Sequence, residues 1–500
     1  MRGKLSGSER PLFCDILFGQ GAAGEKRSGA EEAMAERVIF HIDVNSAFLS
    51  WEAVRRLEAA RAARQGAVDG GADENEPETR RQQAADSGAD ESAPERGRRS
   101  AEGAGENAPE LRQQAADSDA ARVSDGAPPV LDLRTVPSAV GGDLATRHGV
   151  ILAKSIPAKK YGVRTGEPVV DALRKCPELL LVRPDHALYR EKSRQFIAVL
   201  RRYSPDIEQF SVDEAFADMT GTRALFGEPE RAARRLADEI RDTLGFTVNV
   251  GISCNKLLAK MASDFEKPDR VHTLFPEEIE RKMWPLPVRD LFLVGRSSQE
   301  RLRALGIRTI GDLAHADPAT LTRFFGKHGR VMWEFANGRD DSRLDTKQAE
   351  NKGYGNSVTL AENVCDGAGA KRVLLALSEK VAGRLREDGV RAQAVSVTIR
   401  CADFTERSHQ TVLTNATDIT DELYRTACRL FDELWDGAPV RLLGVSTGRL
   451  SRGDEGRQLS LFDTTDYEKM ERLDQAMDDI RRRFGKGAVR RASMMEKPNL

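Results

Sequence analysis

The stretch QFSVDEAFAD, residues 209–218, sets two carboxylates, Asp213 and Glu214, side by side among Phe210, Val212, Ala215 and Phe216, a pattern that otherwise reads as a buried strand. A buried charge needs a partner or a metal ion. Successive residues of a regular strand face opposite sides, so both carboxylates reach one ligand only at a hairpin tip, a bulge or a strand end. Taken alone, the pair has a simpler reading, with one residue in solvent and the other in a local hydrogen bond. A third carboxylate changes that. The run VIFHIDV, residues 38–44, alternates into Asp43 at its end and passes into a helix that begins near Ser46 and carries Trp51 and Val54. Together Asp43, Asp213 and Glu214 could hold two divalent cations through oxygen ligands, as phosphoryl transfer requires. One cation lowers the pKa of an attacking hydroxyl, and both neutralise charge on the pentavalent transition state.

The rest of the chain must position these residues, and 500 residues suffice for roughly three to four domains. No apolar run approaches the ~20 residues of a membrane span, and no basic segment followed by an apolar one opens the chain. The 6 cysteines (14, 176, 254, 365, 401 and 428) show no CxxC spacing, and the 7 histidines do not cluster. The expectation is a soluble protein of the reducing cytoplasm, without zinc or disulfides. Residues 66–128 contain no aromatic, Ile, Met or Lys, and repeat RQQAADS at 81–87 and 112–118. Such a composition predicts a disordered insertion. Its 15 Asp and Glu against 7 Arg carry -8 of the chain's net -2, leaving +6 on the remainder. A net-basic body fits a polyanionic partner. The first 36 residues are expected to form a disordered extension, with Met34 a candidate true start.

Further on, LFLVGRSSQERLRALGIRTIGDLA, residues 291–314, reads as a helix, a short hairpin at Val294–Arg296 and a second helix closed by Gly306. In AVSVTIRCADF, residues 394–404, Val395, Val397 and Ile399 alternate with Ser396, Thr398 and Arg400, the signature of a strand with one buried face. Helices are expected over 371–387 and 419–435, followed by a strand at RLLGVSTGRL, residues 441–450. In RQLSLFDTTD, residues 457–466, Gln458, Leu459, Leu461 and Phe462 sit between polar flanks with no core to enter. The tail carries Met470, Leu473, Met477, Ile480 and Phe484 at helical spacing, with Thr465 and Glu468 as a capping box and Gly485 as a stop. That stripe is expected to pack on its own protein.

Four motifs in order give the chain a resemblance to the Y-family translesion DNA polymerases of the DNA polymerase IV type. HIDVNSAF (41–48) resembles the first metal motif, SVDEAF (211–216) the second, GVILAKSIPAKKYGVRTGEP (149–168) the fingers segment, and GISCNKLLAKMASDFEKP (251–268) the palm segment. The resemblance implies Asp43, Asp213 and Glu214 as catalytic ligands of two Mg2+ ions. It implies Phe48 as a steric gate against the ribose 2'-OH, and Lys159 and Lys267 as triphosphate contacts. Gly295 and Arg296 would bind DNA phosphate at a helix-hairpin-helix, Arg400 would lie along the DNA backbone, and Gln458, Leu459, Leu461 and Phe462 would dock on a bacterial sliding clamp. Primer-template DNA and deoxynucleoside triphosphates are the implied partners of a monomer. The chain departs from the family at Asn45, Ala47, Ala153, Ile156 and Lys159, the last two standing where the family has Tyr and Arg.

The implied fold is an α+β multidomain right hand. The palm takes 37–45 and 184–275, the fingers 46–183 around the insertion 66–128, the helix-hairpin-helix thumb 276–342 and the α+β little finger 353–450. The clamp peptide takes 457–463, and a helix and basic tail take 465–500. Two other classes compete: a catalytically weak or inactive clamp-bound accessory protein derived from the same family, and a nucleotidyl cyclase, whose site also pairs carboxylates.

Overall fold

A computed structural model of the chain describes residues 37–69, 131–142, 149–346, 350–452, 458, 466–485 and 487–494. These fall into two compact units, Met1–Gly141 with Ile151–Thr346, and Gly142–Val150 with Lys347–Leu500. Among the described residues no helix is long and apolar enough to cross a membrane, and the five cysteines are all free.

The first unit is built on a five-stranded sheet. Strand β1 (Ile39–Val44) is the fully buried IFHIDV, as its run of apolar residues requires. Strands β2 (Ser138–Gly141), β3 (Ile151–Lys154) and β4 (Leu180–Val182) form a separate small sheet in the order β3-β2-β4. Strands β5 (Ile207–Gln209), β6 (Glu214–Asp218), β7 (Val248–Ser253) and β8 (Val271–Thr273) join β1 in the order β5-β6-β1-β7-β8. Strand β1 is antiparallel to both β6 and β7.

Alternation along β1 sorts its residues between two faces. Phe40, Ile42 and Val44 enter the main core, where they meet Val199, Ile240, Val250 and Ala215. The other face holds Ile39 beside Phe216 and Ala259, and it is the face from which His41 and Asp43 project. Helix Lys256–Ser263 covers that face, capped at its start by the Asn255 side chain on Leu258 N–H. It sits very close. A Cβ added at Gly251 of β7 would lie 1.9 Å from the Ala259 carbonyl oxygen.

The helix expected near Ser46 runs Ala47–Asp69, so it enters the stretch predicted to be structureless by four residues. The rest of that insertion lies outside the described residues, as does the N-terminal extension. The hairpin motif also differs from expectation. The segment before it is a single 3-10 turn, Val288–Asp290, because Pro287 precedes it and Leu291 is already extended. Gly295 then caps helix Arg296–Ala304, and Gly306 closes it at φ +84°, a left-handed conformation that glycine adopts without strain. Three further helices, Ile310–Ala314, Pro318–Phe325 and Lys327–Ala336, complete this cluster around Leu302, Ile310, Leu321 and Met332.

The second unit is one antiparallel sheet, in which β9 (Gly353–Val364), β10 (Arg391–Cys401), β11 (Glu406–Thr417) and β12 (Val440–Ser451) take the order β11-β10-β12-β9. Val395, Val397 and Ile399 are buried as their alternation predicts, against helices Gly367–Glu387 and Thr420–Leu434. The C-terminal helix Tyr467–Phe484 corrects two expectations. Asp466, not Thr465, is its cap and accepts from Lys469 N–H. Of the apolar stripe only Met477 is buried, while Leu473, Ile480 and Phe484 are exposed. The helix docks through charge instead: Arg386 pairs with Asp474 and Asp478, and Glu379 with Arg481 and Arg491.

The backbone contact at Gly251 makes a direct test of this packing. Gly251→Ala pushes a methyl into backbone atoms that cannot rotate away, and should destabilise the first unit by about 3 kcal/mol. Thermal unfolding of the variant reads this as a lowered midpoint, and an unchanged midpoint would show that the helix stands further from β7.

Candidate active site

Asp43 and Glu214 are direct cross-strand partners on β1 and β6, so their side chains share the face under helix Lys256–Ser263. Asp213 reaches the same region because it is not on a strand. Residues 210–213 form a tight turn in which the N–H groups of Phe210 and Ser211 both donate to the Glu214 carbonyl. The Ser211 hydroxyl accepts from the N–H groups of Asp213 and Glu214 and donates to Asp213 Oδ1 at 2.7 Å. Val44 N–H then donates to the Asp213 carbonyl at 3.0 Å, which ties the turn to the end of β1. The strand-end arrangement expected for neighbouring carboxylates is thus present.

Three carboxylates facing one region repel, and two lysines offset the repulsion. Lys267 bridges Asp43 and Asp264, with Nζ 2.8 Å from Asp264 Oδ1. Lys260 places Nζ 2.7 Å from Glu214 Oε2, and His41 Nε2 stands 3.5 Å from the same oxygen. The other His41 nitrogen, Nδ1, lies 2.7 Å from Ser263 Oγ.

The protonation equilibria follow from these contacts. Burial pushes the Asp43 carboxyl up to about 6 in spite of Lys267, helped by the charges of Glu214 and Asp213. Burial also raises Asp213, against the Ser211 hydrogen bond. For Glu214 burial works in the same sense, but His41 and Lys260 outweigh it and bring the group to about 2. His41 itself is held down at about 4 by burial, so it is neutral at physiological pH and Lys260 is the cation beside Glu214. Burial opposes the charge on Lys267, yet Asp43 and Asp264 beside it raise it further.

A net of amides fixes the loop that carries Lys267. Asn45 donates from Nδ2 to Asn249 Oδ1 at 3.1 Å and accepts at Oδ1 from Asp269 N–H at 2.9 Å. Asn249 in turn donates to the carbonyls of Ser263 and Glu266. Among the described residues no group of three or more His, Cys, Asp or Glu side chains is already drawn together as a metal cluster. The donor set still fits a hard divalent cation: three carboxylates, two of them raised by burial, in a region already drawing ammonium groups.

Of the other expected site residues, Phe48 is half-buried at the head of its helix, stacked on Tyr189 at 4.5 Å between ring centroids and 5.9 Å from Trp51. Lys159 and Ile156 are exposed on the short helix Ile156–Lys160, which Ser155 caps. Arg296 is exposed and pairs with Glu300 one turn on. Arg400 pairs across the hairpin with Glu406. The main chain of Gln458 is held by the Asn415 side-chain amide, with contacts of 2.9 and 3.0 Å. Leu459, Leu461 and Phe462 lie outside the described residues.

Sequence reasoning missed His41, Asn249 and Lys260. The available signals were the i, i+2 spacing of His41 and Asp43 on one strand, and lysines four apart, Lys256 and Lys260, in a helix otherwise free of charge.

A buried sheet that ends in paired carboxylates, a hairpin-led helical cluster and a separate four-stranded α+β unit together define a right-hand polymerase fold. Three family models match the chain: the impB/mucB/samB family over residues 116–264, its C-terminal domain over 351–461, and the IMS family HHH motif over 276–307. The first begins only at residue 116, so Asp43 and Phe48 precede its match. Curated relatives include the DNA polymerase IV of Clostridium acetobutylicum, 38% identical over 462 residues that cover 92% of this chain and 99% of the relative. The DNA polymerase IV 2 of Bacillus subtilis is 40% identical over 371 residues, 73% of this chain and 89% of that one. A solved Y-family DNA polymerase chimera of Dbh and Dpo4 shares the fold, with a TM-score of 0.59 at 18% identity over 83% of this chain and 100% of its own. The chain belongs to the impB/mucB/samB family, the Y-family DNA-directed DNA polymerases of the DNA polymerase IV type.

Proposed function

We propose that this protein performs translesion synthesis in DNA damage tolerance and repair, extending a primer on template DNA by two-metal nucleotidyl transfer. The observation that carries the reading is the register of Asp43 against Glu214, with Asp213 brought beside them by the Ser211 turn. Asp43, Asp213 and Glu214 would hold two Mg2+ ions. When bound, these supply charge neutralisation at the triphosphate and a lowered pKa for the primer hydroxyl.

The chain's own residues bind and orient the substrates. Lys267 sits on a loop fixed by Asn45 and can offer its ammonium to a triphosphate, with Lys159 as a second, exposed cation on the short helix Ile156–Lys160. Each is a point charge rather than a bidentate fork, so they steer the triphosphate more than they fix its orientation. Template base pairing supplies sequence, while the protein holds DNA through its phosphates. Gly295 leaves the first N–H groups of helix Arg296–Ala304 open for one such phosphate, and Arg296 and Arg400 would join by giving up Glu300 and Glu406. Gln458, Leu459, Leu461 and Phe462 would dock on a bacterial sliding clamp. We place the protein in the cytoplasm as a monomer. The intact carboxylate set supports an active enzyme rather than an accessory protein.

Asp213 is the cleanest residue to remove, because its side chain bonds within its own turn. Asp213→Ala should cut primer extension by at least about 10^3-fold, the loss of several kcal/mol of transition-state stabilisation. DNA affinity and melting temperature should stay close to wild type, and full extension activity would sink the metal-ligand assignment.

Phe48 has one ring face packed on Tyr189 and is half-exposed, so its remaining surface can stand beside the sugar of a bound nucleotide. Exclusion of a 2'-OH by such a ring is discrimination by clash. Phe48→Ala should raise the ribo-to-deoxy ratio of kcat/KM by about 10^2-fold or more, in a protein moderately destabilised by the lost stack. Single-nucleotide kinetics on one primer-template decide it, and an unchanged ratio would falsify the gate and leave Phe48 as packing.

Replacing Leu461 and Phe462 together by Ala should abolish stimulation by the clamp and leave clamp-free extension unchanged. Two apolar anchors can carry about 4 kcal/mol of a short-peptide interface. Retention on an immobilised clamp at the wild-type level would rule the peptide out.

A further inference from the structure

Lys260 is a buried lysine with an unusual set of neighbours. Its Nζ meets Glu214 Oε2 at 2.7 Å. It also stands over two aromatic rings, 5.3 Å from the centroid of Phe210 and 5.5 Å from that of Phe292. Those rings meet edge to face at 6.2 Å, and Phe292 continues onto Phe335. The ammonium therefore has cation–π contact with two rings in addition to its carboxylate partner. Lys256, one turn earlier, also pairs a carboxylate with a ring, but its carboxylate is Glu208, at 2.7 and 2.8 Å, and its ring is Phe216, 5.0 Å away.

Both partners of Glu214 converge on a single oxygen. The closest approach of both Lys260 Nζ and His41 Nε2 is to Oε2, at 2.7 and 3.5 Å. His41 Nε2 is itself buried without a settled hydrogen bond, so its position is dictated by packing against Phe216, at 4.6 Å, and by Ser263. We propose that Lys260 is a positioning residue of the polymerase reaction: with His41 it occupies Glu214 Oε2, and so presents Oε1 alone, in one orientation, to the catalytic cation. The inference rests on the reading of Glu214 as a cation ligand.

A plain structural salt bridge and a positioning device make different predictions. The device excludes one oxygen and sets a positive charge beside the site, so its removal should let Glu214 bind a cation more tightly but in a less defined geometry. Lys260→Met keeps an unbranched apolar stem and removes the charge together with its hydrogen bond to Glu214. In the full-length variant, Mn2+ alone, titrated by the loss of its free-ion resonance, should bind about tenfold more tightly than in wild type. With Mg2+ and primer-template, kcat should fall by roughly 10^2-fold, the scale expected for a misplaced catalytic group, with little change in nucleotide KM. Lys260→Arg, which restores a cation to Oε2, should recover most of kcat.

Unchanged or weakened Mn2+ binding by Lys260→Met, or an unchanged kcat, overturns the proposal. A loss of activity that follows the folded fraction in thermal melts, with Mn2+ affinity per folded molecule unaltered, overturns it in favour of simple packing. Glu214→Gln separates this inference from the one beneath it. If that change leaves Mn2+ binding intact, the ligand reading itself fails; if it weakens binding while Lys260→Met has no effect, only the positioning role fails.

Discussion

The structure is organised around a repulsion. Asp43 and Glu214 are opposite one another on adjacent antiparallel strands, where like charges are unfavourable, with Asp43 buried and Glu214 partly buried. Burial raises both groups and so opposes their charged forms, as does their mutual repulsion. The fold answers with two ammonium groups from one segment: Lys260 on helix Lys256–Ser263, and Lys267 on the loop just beyond it. Everything that fixes that segment against β1 and β7 is therefore part of the site. The backbone contact at Gly251 and the amides of Asn45 and Asn249 set the approach of helix to sheet.

How much of this was legible in the sequence depended on the range of the interaction. Asp213 and Glu214 announced themselves because two charges interrupt an apolar run, and Asp43 because it ends one. Strand β10 was legible from alternation alone, since one face is buried by two helices. His41, Lys260 and Asn249 were not, because their roles depend on partners far away in sequence; Lys260 and Glu214 are 46 residues apart, and Asn249 and Asn45 are 204 apart. Local periodicity cannot distinguish a lysine that caps an apolar face from one that reaches into a site.

The C-terminal helix failed for the opposite reason. Its apolar spacing was real, but periodicity says only that a stripe exists and not which side of the helix is buried. Asp474, 3% exposed, and its partners Arg386 and Arg491 win that competition, because Asp474 also accepts from the N–H of Thr420 and so serves helix Thr420–Leu434 as well. A charged group that satisfies a helix start and two guanidiniums is worth more buried than Leu473 or Ile480. The expected capping box fell short in the same way, since Asp466, one residue later, offers a carboxylate to the first turn where Thr465 offers a hydroxyl.

Asn45 shows how a departure from a family pattern can be a structural choice. Asp in place of Asn45 would add a fourth carboxylate beside Asp43, Asp213 and Glu214. Asn carries no charge, and its amide both donates and accepts. Nδ2 donates to Asn249, while Oδ1 accepts from the Thr247 hydroxyl and from the N–H of Asp269. An ionised Asp could only accept, and it would leave Asn249 Oδ1 facing another acceptor. The chain thereby gives up a possible ligand and gains a hinge that anchors the loop of Lys267 to the end of β1. The same charge that neutralises Asp43 is thus held in place by the residue that declines to add to the repulsion.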